Sequence, residues 1–261
     1  MADSTDDLAR LLGGATRIVG FTGAGVSTES GIPDFRSPGG VWTRYDPTEL
    51  TFDRYVVSAE VRATSWRMRR EFFEVAVEPN AAHRALARLE REGRALGVVT
   101  QNIDGLHQDA GSRRVVEIHG TARRVHCIGH APRMGTPDGC GFEAPVQWAF
   151  ERIDAGDPDP SCPWCGGLVK SATVSFGQAM PADAIDEALE LMRSADAVVA
   201  VGSSLQVYPA ADLPLAGLRA GARLAIVNDE PTPLDEVADV VVRGRAGEVL
   251  GPAVDAVLGP A

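Results

Sequence analysis

A glycine-rich segment, Gly23-Ala24-Gly25-Val26-Ser27-Thr28-Glu29-Ser30-Gly31-Ile32-Pro33-Asp34-Phe35-Arg36-Ser37, follows directly on the apolar run Ile18-Val19-Gly20-Phe21. A strand that runs into such a turn can bring backbone N–H groups close to a pyrophosphate, because glycine tolerates φ > 0 and has no side chain in the way. The chemistry indicated is nucleotide binding. It is not the dehydrogenase pattern: G-x-G-x-x-G needs a third glycine where Thr28 stands, and no acidic residue closes a second strand about 20 residues on to hold a ribose. A G-x-G taken alone also serves turns and bulges for steric reasons.

His119 is the residue best placed to move a proton. It follows the apolar Val115-Val116-Glu117-Ile118 and precedes Gly120, which sets it at a strand's carboxyl end with the backbone turning at once. An imidazole with an ordinary pKa near 6.5 suits a general base at neutral pH. Thr100-Gln101-Asn102-Ile103-Asp104 ends a second apolar run in the same way. Asn102 and Asp104 can also be read as caps of a helix begun by Gly105-Leu106-His107. His83, His107, His126 and His130 are read as structural.

All four cysteines, Cys127, Cys140, Cys162 and Cys165, fall in one stretch. In a reducing compartment such a cluster fits a tetrahedral thiolate zinc site, because the stretch is too small to build a core of its own. Cys162-Pro163-Trp164-Cys165 followed by Gly166-Gly167 has the spacing of a zinc knuckle. Cys127 and Cys140 are separated by twelve residues, so Gly139-Cys140-Gly141 reads as a half-knuckle displaced by an insertion. His130 is the alternative fourth ligand, and a redox role of Cys162 and Cys165 is a further alternative without a thioredoxin-type context.

The elements that must position these residues are short β-branched runs: Arg17–Thr22, Leu96–Thr100, Arg114–Ile118, Ala197–Val201, Leu224–Val227 and Asp239–Val242. Continuous rather than alternating hydrophobicity marks strands buried on both faces, as in a parallel sheet. Helical patterns separate several of them: Asn80 can cap one with Ala82, Leu86 and Leu89, and Pro181 opens another with Ile185, Ala188, Leu189 and Met192. An open parallel sheet binds ligands beyond the carboxyl ends of its strands. The predicted fold is therefore α/β, a Rossmann-like sheet assembled from about 1–35, 80–120 and 175–261. A helical insert at about 36–79 and a smaller zinc-binding module at about 121–174 interrupt it within a single domain.

Composition bounds the partners. The formal charge of −11 disfavours sequence-independent binding to nucleic acid or to an anionic membrane surface. No stretch approaches ~18 uninterrupted apolar residues, and the N-terminus is acidic where a secretory signal is basic, so a soluble, cytoplasmic chain is expected. Lys170 is the only lysine.

Taken together, the glycine-rich loop, Thr100–His107, His119-Gly120, Gly202-Ser203-Ser204 and Asn228-Asp229-Glu230 resemble, in order, the sirtuin family of NAD-dependent protein lysine deacylases. The likeness runs from about residue 17 to residue 250. It implies that the acyl-lysine oxygen attacks the nicotinamide ribose and expels nicotinamide. An alkylimidate follows, and the acyl group ends on ADP-ribose. By the same resemblance His119 is the base, and Asn102 and Asp104 order the nicotinamide end. Gly23, Ala24, Gly25, Asp34, Phe35, Arg36, Gln101 and Ile103 line the cofactor, with Phe35 covering the ribose. Gly202, Ser203, Ser204, Asn228, Asp229 and Glu230 lie on the adenosine side, and Ala246 touches adenine. NAD and zinc are the implied cofactors, and proteins or peptides bearing acyl-lysine the implied partners.

The chain departs from the family pattern in places that bear on substrate rather than on NAD. Ser175-Phe176-Gly177-Gln178 stands for an apolar residue, Phe, Gly and Glu, and Lys170-Ser171 for a basic residue and Pro. Family members that take succinyl or malonyl groups carry Tyr-x-x-Arg after the first loop; here Arg69 takes the Tyr place and Phe72 the Arg place, which implies uncharged acyl groups. Mono-ADP-ribosyl transfer on the same scaffold is the alternative function. A noncatalytic NAD-sensing module and an ordinary dehydrogenase are the remaining ones.

Overall fold

The computed structural model describes residues 2–34, 39–74, 76–130 and 139–260. Along the chain come helix α1 (Ala2–Gly14), strand β1 (Ile18–Thr22), helices α2 (Phe52–Val57), α3 (Ala59–Glu74) and α4 (Ala81–Arg91), and strand β2 (Ala95–Thr100). Next are α5 (Leu106–Asp109), β3 (Val115–Glu117), β4 (Gly120–Gly129), β5 (Glu143–Pro145), α6 (Gln147–Asp154) and β6 (Leu168–Thr173). The chain ends with α7 (Ala182–Ser194), β7 (Ala197–Val201), α8 (Leu213–Arg219), β8 (Arg223–Val227), β9 (Val240–Val242) and α9 (Ala246–Leu258).

Six strands form one parallel sheet in the order β3-β2-β1-β7-β8-β9. Its buried strands feed two cores, because successive side chains of a strand point to opposite faces. Ile18, Val98 and Val199 pack under α1, α4 and α9 with Leu11, Leu86 and Leu250. Val19, Phe21 and Val198 pack under α7 and α8 with Leu191, Met192 and Leu213. The six expected strands are all present, each within a residue or so of its expected ends. Asn80 caps α4 as expected, its side-chain Oδ1 accepting the Ala82 N–H at 2.9 Å while the His83 side chain accepts the Asn80 backbone N–H and closes a capping box.

The strand order reverses between β1 and β7, and the turns after these two strands interlock there. A Cβ on Gly23 would stand 2.9 Å from the Gly202 oxygen, and one on Gly25 2.9 Å from the Gly202 Cα. Gly202 itself has φ +60, and a Cβ there would meet the Val26 nitrogen at 2.2 Å. Only residues without Cβ let the two turns approach this closely.

A second, antiparallel sheet, β5-β4-β6, rises beside the first. Trp66 of α3 packs into its core with Val125, Cys127, Phe142 and Val169, and α2 adds Phe52 and Tyr55 against Ile128. Among the described residues no helix is long and apolar enough to cross a membrane.

Candidate active site and metal centre

The carboxyl ends of β1, β2 and β3 bring together a closed network of neutral polar side chains. Thr22, Ser27, His83, Thr100, Asn102 and His107 are all buried. The His83 Nδ1 receives the Asn80 backbone N–H at 3.3 Å, so it carries no proton and the hydrogen sits on Nε2, 3.4 Å from the Ser27 hydroxyl. Ser27 Oγ also accepts the Asn102 amide at 3.0 Å and donates to Asp104 Oδ2 at 2.8 Å. Two acceptances and one donation exhaust a hydroxyl. Ser27 is thereby locked, and it locks Asn102 and Asp104 in turn.

A second chain runs behind it. Thr22 Oγ1 donates to Thr100 Oγ1 at 2.8 Å and is left to accept from His107 Nε2 at 2.9 Å. Thr100 Oγ1 also accepts the Asn102 backbone N–H at 3.0 Å. The rings of His83 and His107 meet edge to face at 4.8 Å. Burial holds both imidazoles neutral, pulling His83 down to about 4 and His107 to about 3. His107 Nδ1 is buried without a partner among the described residues, which its structural assignment does not account for.

His119 stands at the mouth of this network. Its Nδ1 lies 3.0 Å from the Gln101 carbonyl oxygen. A carbonyl only accepts, so Nδ1 carries the hydrogen and Nε2 presents a lone pair. Burial lowers the His119 pKa, and the Gln101 hydrogen bond opposes that in part. The His119 carbonyl accepts the Val174 N–H at 2.9 Å, which fixes the turn on its other side. The result is a neutral, oriented imidazole whose basic nitrogen has no hydrogen-bond partner among the described residues.

The remaining predicted residues divide. Gln101 reaches across to Ser203 Oγ at 2.9 Å and so ties the end of β2 to the turn after β7. The Ile103 carbonyl accepts the Ala122 N–H at 2.9 Å. Asp104 does cap α5, through the Leu106 N–H at 2.9 Å, whereas Asn102 does not. Asn228 Nδ2 donates to the Glu230 carbonyl at 2.8 Å at the end of β8, while the Asp229 and Glu230 side chains are exposed. Ala246 is buried in the first turn of α9. Ser204 lies in the turn beside Ser203, and Asp34 holds the Val41 N–H through its carbonyl. Phe35 and Arg36 lie outside the described residues.

In the glycine turn the structure corrects one expectation. The N–H groups of Gly23 and Gly25 bind the Val201 and Gly202 carbonyls at 3.2 and 2.8 Å, and those of Val26 and Ser27 close the following turn. Glycine serves here chiefly to let two turns touch. Ala24 keeps an N–H without a protein acceptor among the described residues. Sequence reasoning left out Ser27, His83 and Thr22, although Ser27 and His83 both lie beside motifs already in view. A hydroxyl four residues after the first glycine of the turn was the available signal.

The four cysteine sulfurs lie within 4.8 Å of one another. Cys127 and Cys165 approach to 3.6 Å and Cys140 and Cys162 to 3.5 Å, close to the edge of a tetrahedron with metal–sulfur bonds of about 2.3 Å. Backbone N–H groups of Gly129 and Gly167 point at Cys127 and Cys165 sulfurs at 3.4 Å each, as in zinc knuckles. His130 is not part of the cluster. Four soft donors with no opening for a water suit a structural zinc. A Cβ on Gly139 would fall 1.9 Å from the Cys127 oxygen, so glycine lets the displaced half-knuckle close on its partner.

In the helical stretch Arg69 turns inward and donates to Thr173 Oγ1 at 2.8 Å. Arg70 turns outward to Asp154 and lies over Phe150 at 4.9 Å. Phe72 lines a cavity of about 210 Å³ together with Ile32, Pro33, Val41 and Met68. Gln178 uses its side chain to receive the Ser175 N–H at 3.1 Å, closing the turn that presents the exposed Phe176.

A model of the Sir2 family matches residues 23–209. The chain is 46% identical over 258 residues to NAD-dependent protein deacetylase 1 of Bradyrhizobium diazoefficiens, covering 97% of this chain and 96% of that protein. It is 47% identical over 234 residues to NAD-dependent protein deacetylase 2 of Streptomyces coelicolor, covering 88% and 93%. Among solved structures, a Sir2 histidine-to-alanine variant with a deacetylated p53 peptide and 3′-O-acetyl ADP-ribose superposes with a TM-score of 0.86 at 34% identity, over 99% of this chain and 100% of that one. The chain belongs to the Sir2 family.

Proposed function

We propose that this protein is an NAD-dependent protein lysine deacetylase that transfers the acyl group of a lysine to ADP-ribose and releases nicotinamide. The observation that carries the reading is the fixed tautomer of His119, whose Nε2 is a free base at the mouth of a locked polar network. NAD supplies the activated ribose. His119 takes a proton from the ribose hydroxyls at Nε2. Asn102, held by Ser27, orients the nicotinamide end together with Asp104, Gln101 and Ile103. Gly23, Ala24 and Gly25 line the diphosphate, with the Ala24 N–H as donor. By the family resemblance Asp34 and Arg36 belong to the cofactor set, and Phe35 would cover the ribose and keep water from it. Gly202, Ser203, Ser204, Asn228, Asp229 and Glu230 face adenosine, and Ala246 the adenine.

Cys127, Cys140, Cys162 and Cys165 hold a zinc that is structural. The parallel sheet with its two inserts, at about 36–79 and 121–174, acts as one catalytic domain. The substrate is an acyl-lysine protein or peptide, added as a strand beside Ser175–Gln178 so that main-chain hydrogen bonds supply affinity. With a net charge of −11 the protein favours basic peptides over nucleic acid or anionic membranes, and its four reduced thiols fit the cytoplasm.

Incubation with NAD and an acetyl-lysine peptide, read by mass spectrometry, tests this. O-acetyl-ADP-ribose is the expected product. ADP-ribosylated protein would instead favour mono-ADP-ribosyl transfer, and no turnover would reject both.

A further inference from the structure

We infer that Glu29 is a positioning residue that ties the adenosine end of the cofactor site to its nicotinamide end. The inference rests on the NAD placement proposed above. Glu29 stands two residues after Ser27, in the loop that leads to Asp34. Its Oε2 accepts the Gly247 N–H at 2.6 Å, a contact between residues 218 apart. Gly247 is in the first turn of α9, next to Ala246.

The seat is shaped for a carboxylate. A Cβ on Gly247 would fall 3.0 Å from Glu29 Oε1 and 3.1 Å from Oε2, so the carboxylate rests on the glycine itself. The first turn of a helix carries N–H groups without intrahelical partners and a partial positive charge, and both favour an anion. Arg245, the N-cap residue of α9, offers no side-chain cap. Glu29 takes that place from a distant part of the chain.

Two other ties complete a circuit. Asn80, at the start of α4, donates to the Val26 carbonyl at 2.7 Å and to Ser30 Oγ at 3.0 Å. Farther along α4, Arg88 pairs with Asp255 at 2.6 Å and donates to the Gly259 carbonyl at 2.7 Å at the far end of α9. Loop, α4 and α9 thus hold one another, and Glu29 is the side chain that joins the loop to the residue beside adenine. The same contact disposes of a charge. A loose carboxylate next to a diphosphate turn would repel the ligand, whereas on α9 it is engaged elsewhere.

Removing the seat and removing the charge therefore have different consequences. Binding of NAD and of AMP is measured by calorimetry on the zinc-loaded full chain for wild type, Glu29→Ala, Glu29→Gln and Gly247→Ala, with Tm and kcat at saturating NAD. Glu29→Ala is expected to weaken NAD about fivefold, the scale of one lost helix cap, while AMP changes less than about twofold because it occupies one end only. Glu29→Gln keeps an acceptor for Gly247 and is expected to recover most of the loss. Gly247→Ala improves helix propensity yet displaces the carboxylate, so NAD weakens without a fall in Tm. kcat is expected to move less than about twofold in all three, since no reacting atom is touched. NAD affinity equal to wild type in Glu29→Ala and Gly247→Ala, or equal weakening of AMP and NAD, overturns the inference. A wild-type enzyme that makes no O-acetyl-ADP-ribose would count against the function, not against Glu29.

Discussion

The polar groups at the edge of the parallel sheet and those between the helical stretch and the small sheet are treated in opposite ways. At the sheet edge a run of linked donors and acceptors, from His83 through Ser27 to Asp104 and from His107 through Thr22 to Thr100, is oriented with little left over. In the other region Lys170 is buried and Arg69 half-buried, with no carboxylate in ion-pair range of either among the described residues. Lys170 Nζ donates to the Thr173 carbonyl, and Arg69 donates to the hydroxyl of the same residue. Arg69 Nε, Trp66 Nε1, Ser171 Oγ and His126 Nε2 are buried there with no partner among the described residues. Each orphan costs about 1–3 kcal/mol. One region spends its polar groups on orientation; the other carries them as a load on stability, which burial of α3 and the metal must offset.

Cutting the metal out is the strongest way to break that comparison. Cys162→Ala or Cys165→Ala should abolish zinc retention and unfold the small sheet, because structural zinc contributes on the order of 10 kcal/mol to folding. Elemental analysis and far-UV circular dichroism read both. His130→Ala is the control and should keep about one zinc per chain; loss of zinc there would mean that the four-sulfur cluster is the wrong ligand set.

At the sheet edge the corresponding break is functional. His119→Ala should lower deacetylation by about 10²–10⁴-fold while NAD still binds, since the loss is of a base and not of a binding surface. Turnover near wild type would remove His119 from the role. Because burial lowers its pKa, His119 stays neutral to lower pH than a free histidine, and the acid limb of kcat/KM should fall below about pH 6.5.

Acid separates the regions less sharply, because neutral buried histidines occur in both. His83 and His126 are lowered to about 4 and His107 to about 3, each chiefly by burial. The unfolded chain takes up protons near pH 6.5 and the folded one does not. Stability is therefore full above about pH 6.5 and is lost as pH falls toward these lowered values, by up to about 2 kcal/mol per histidine between pH 6.5 and 5. Urea unfolding midpoints at pH 7 and pH 5 measure it, and His107→Asn should reduce the loss. A midpoint that does not move with pH would mean that these imidazoles are not held neutral.

The two regions also differed in how far the sequence could be read. The six parallel strands announce themselves by continuous apolar runs, and that one rule of strand ends places His119, Asn102 and Asp104 just beyond them, while the site roles of Asn102 and Asp104 come from the family resemblance. Ser27 and His83 were harder, since what matters is a hydroxyl saturated from three directions by residues 56, 75 and 77 positions away. Strand β4 keeps no regular alternation over its ten residues and β5 has only three, so neither was set apart from the cysteine loop. The direction of Arg69 was not legible at all. The family resemblance put it in the place of a tyrosine, but only the packing of α3 on β6 turns it to Thr173 while Arg70 faces Asp154.

The smallest expected effect concerns Lys170, a buried cation with no anion beside it among the described residues. Burial pulls its pKa down to about 7, with Arg69 pushing in the same direction. Its free value is near 10.5, so the unfolded chain binds the proton more tightly, and the folded state loses stability as pH falls from about 10.5 toward 7. Lys170→Met keeps the length of the side chain and deletes that liability, at the cost of the bonds to the Ser171 and Thr173 carbonyls. An unpaired buried cation is often replaced by an apolar residue without loss. At pH 7 the substitution should therefore change stability by about 1 kcal/mol or less, in the stabilising direction. It should also flatten the dependence of the urea midpoint between pH 7 and 9. Destabilisation by more than about 2 kcal/mol would show that the ammonium is a well-satisfied part of the structure, and the contrast between the two regions would fail at the residue where it is sharpest.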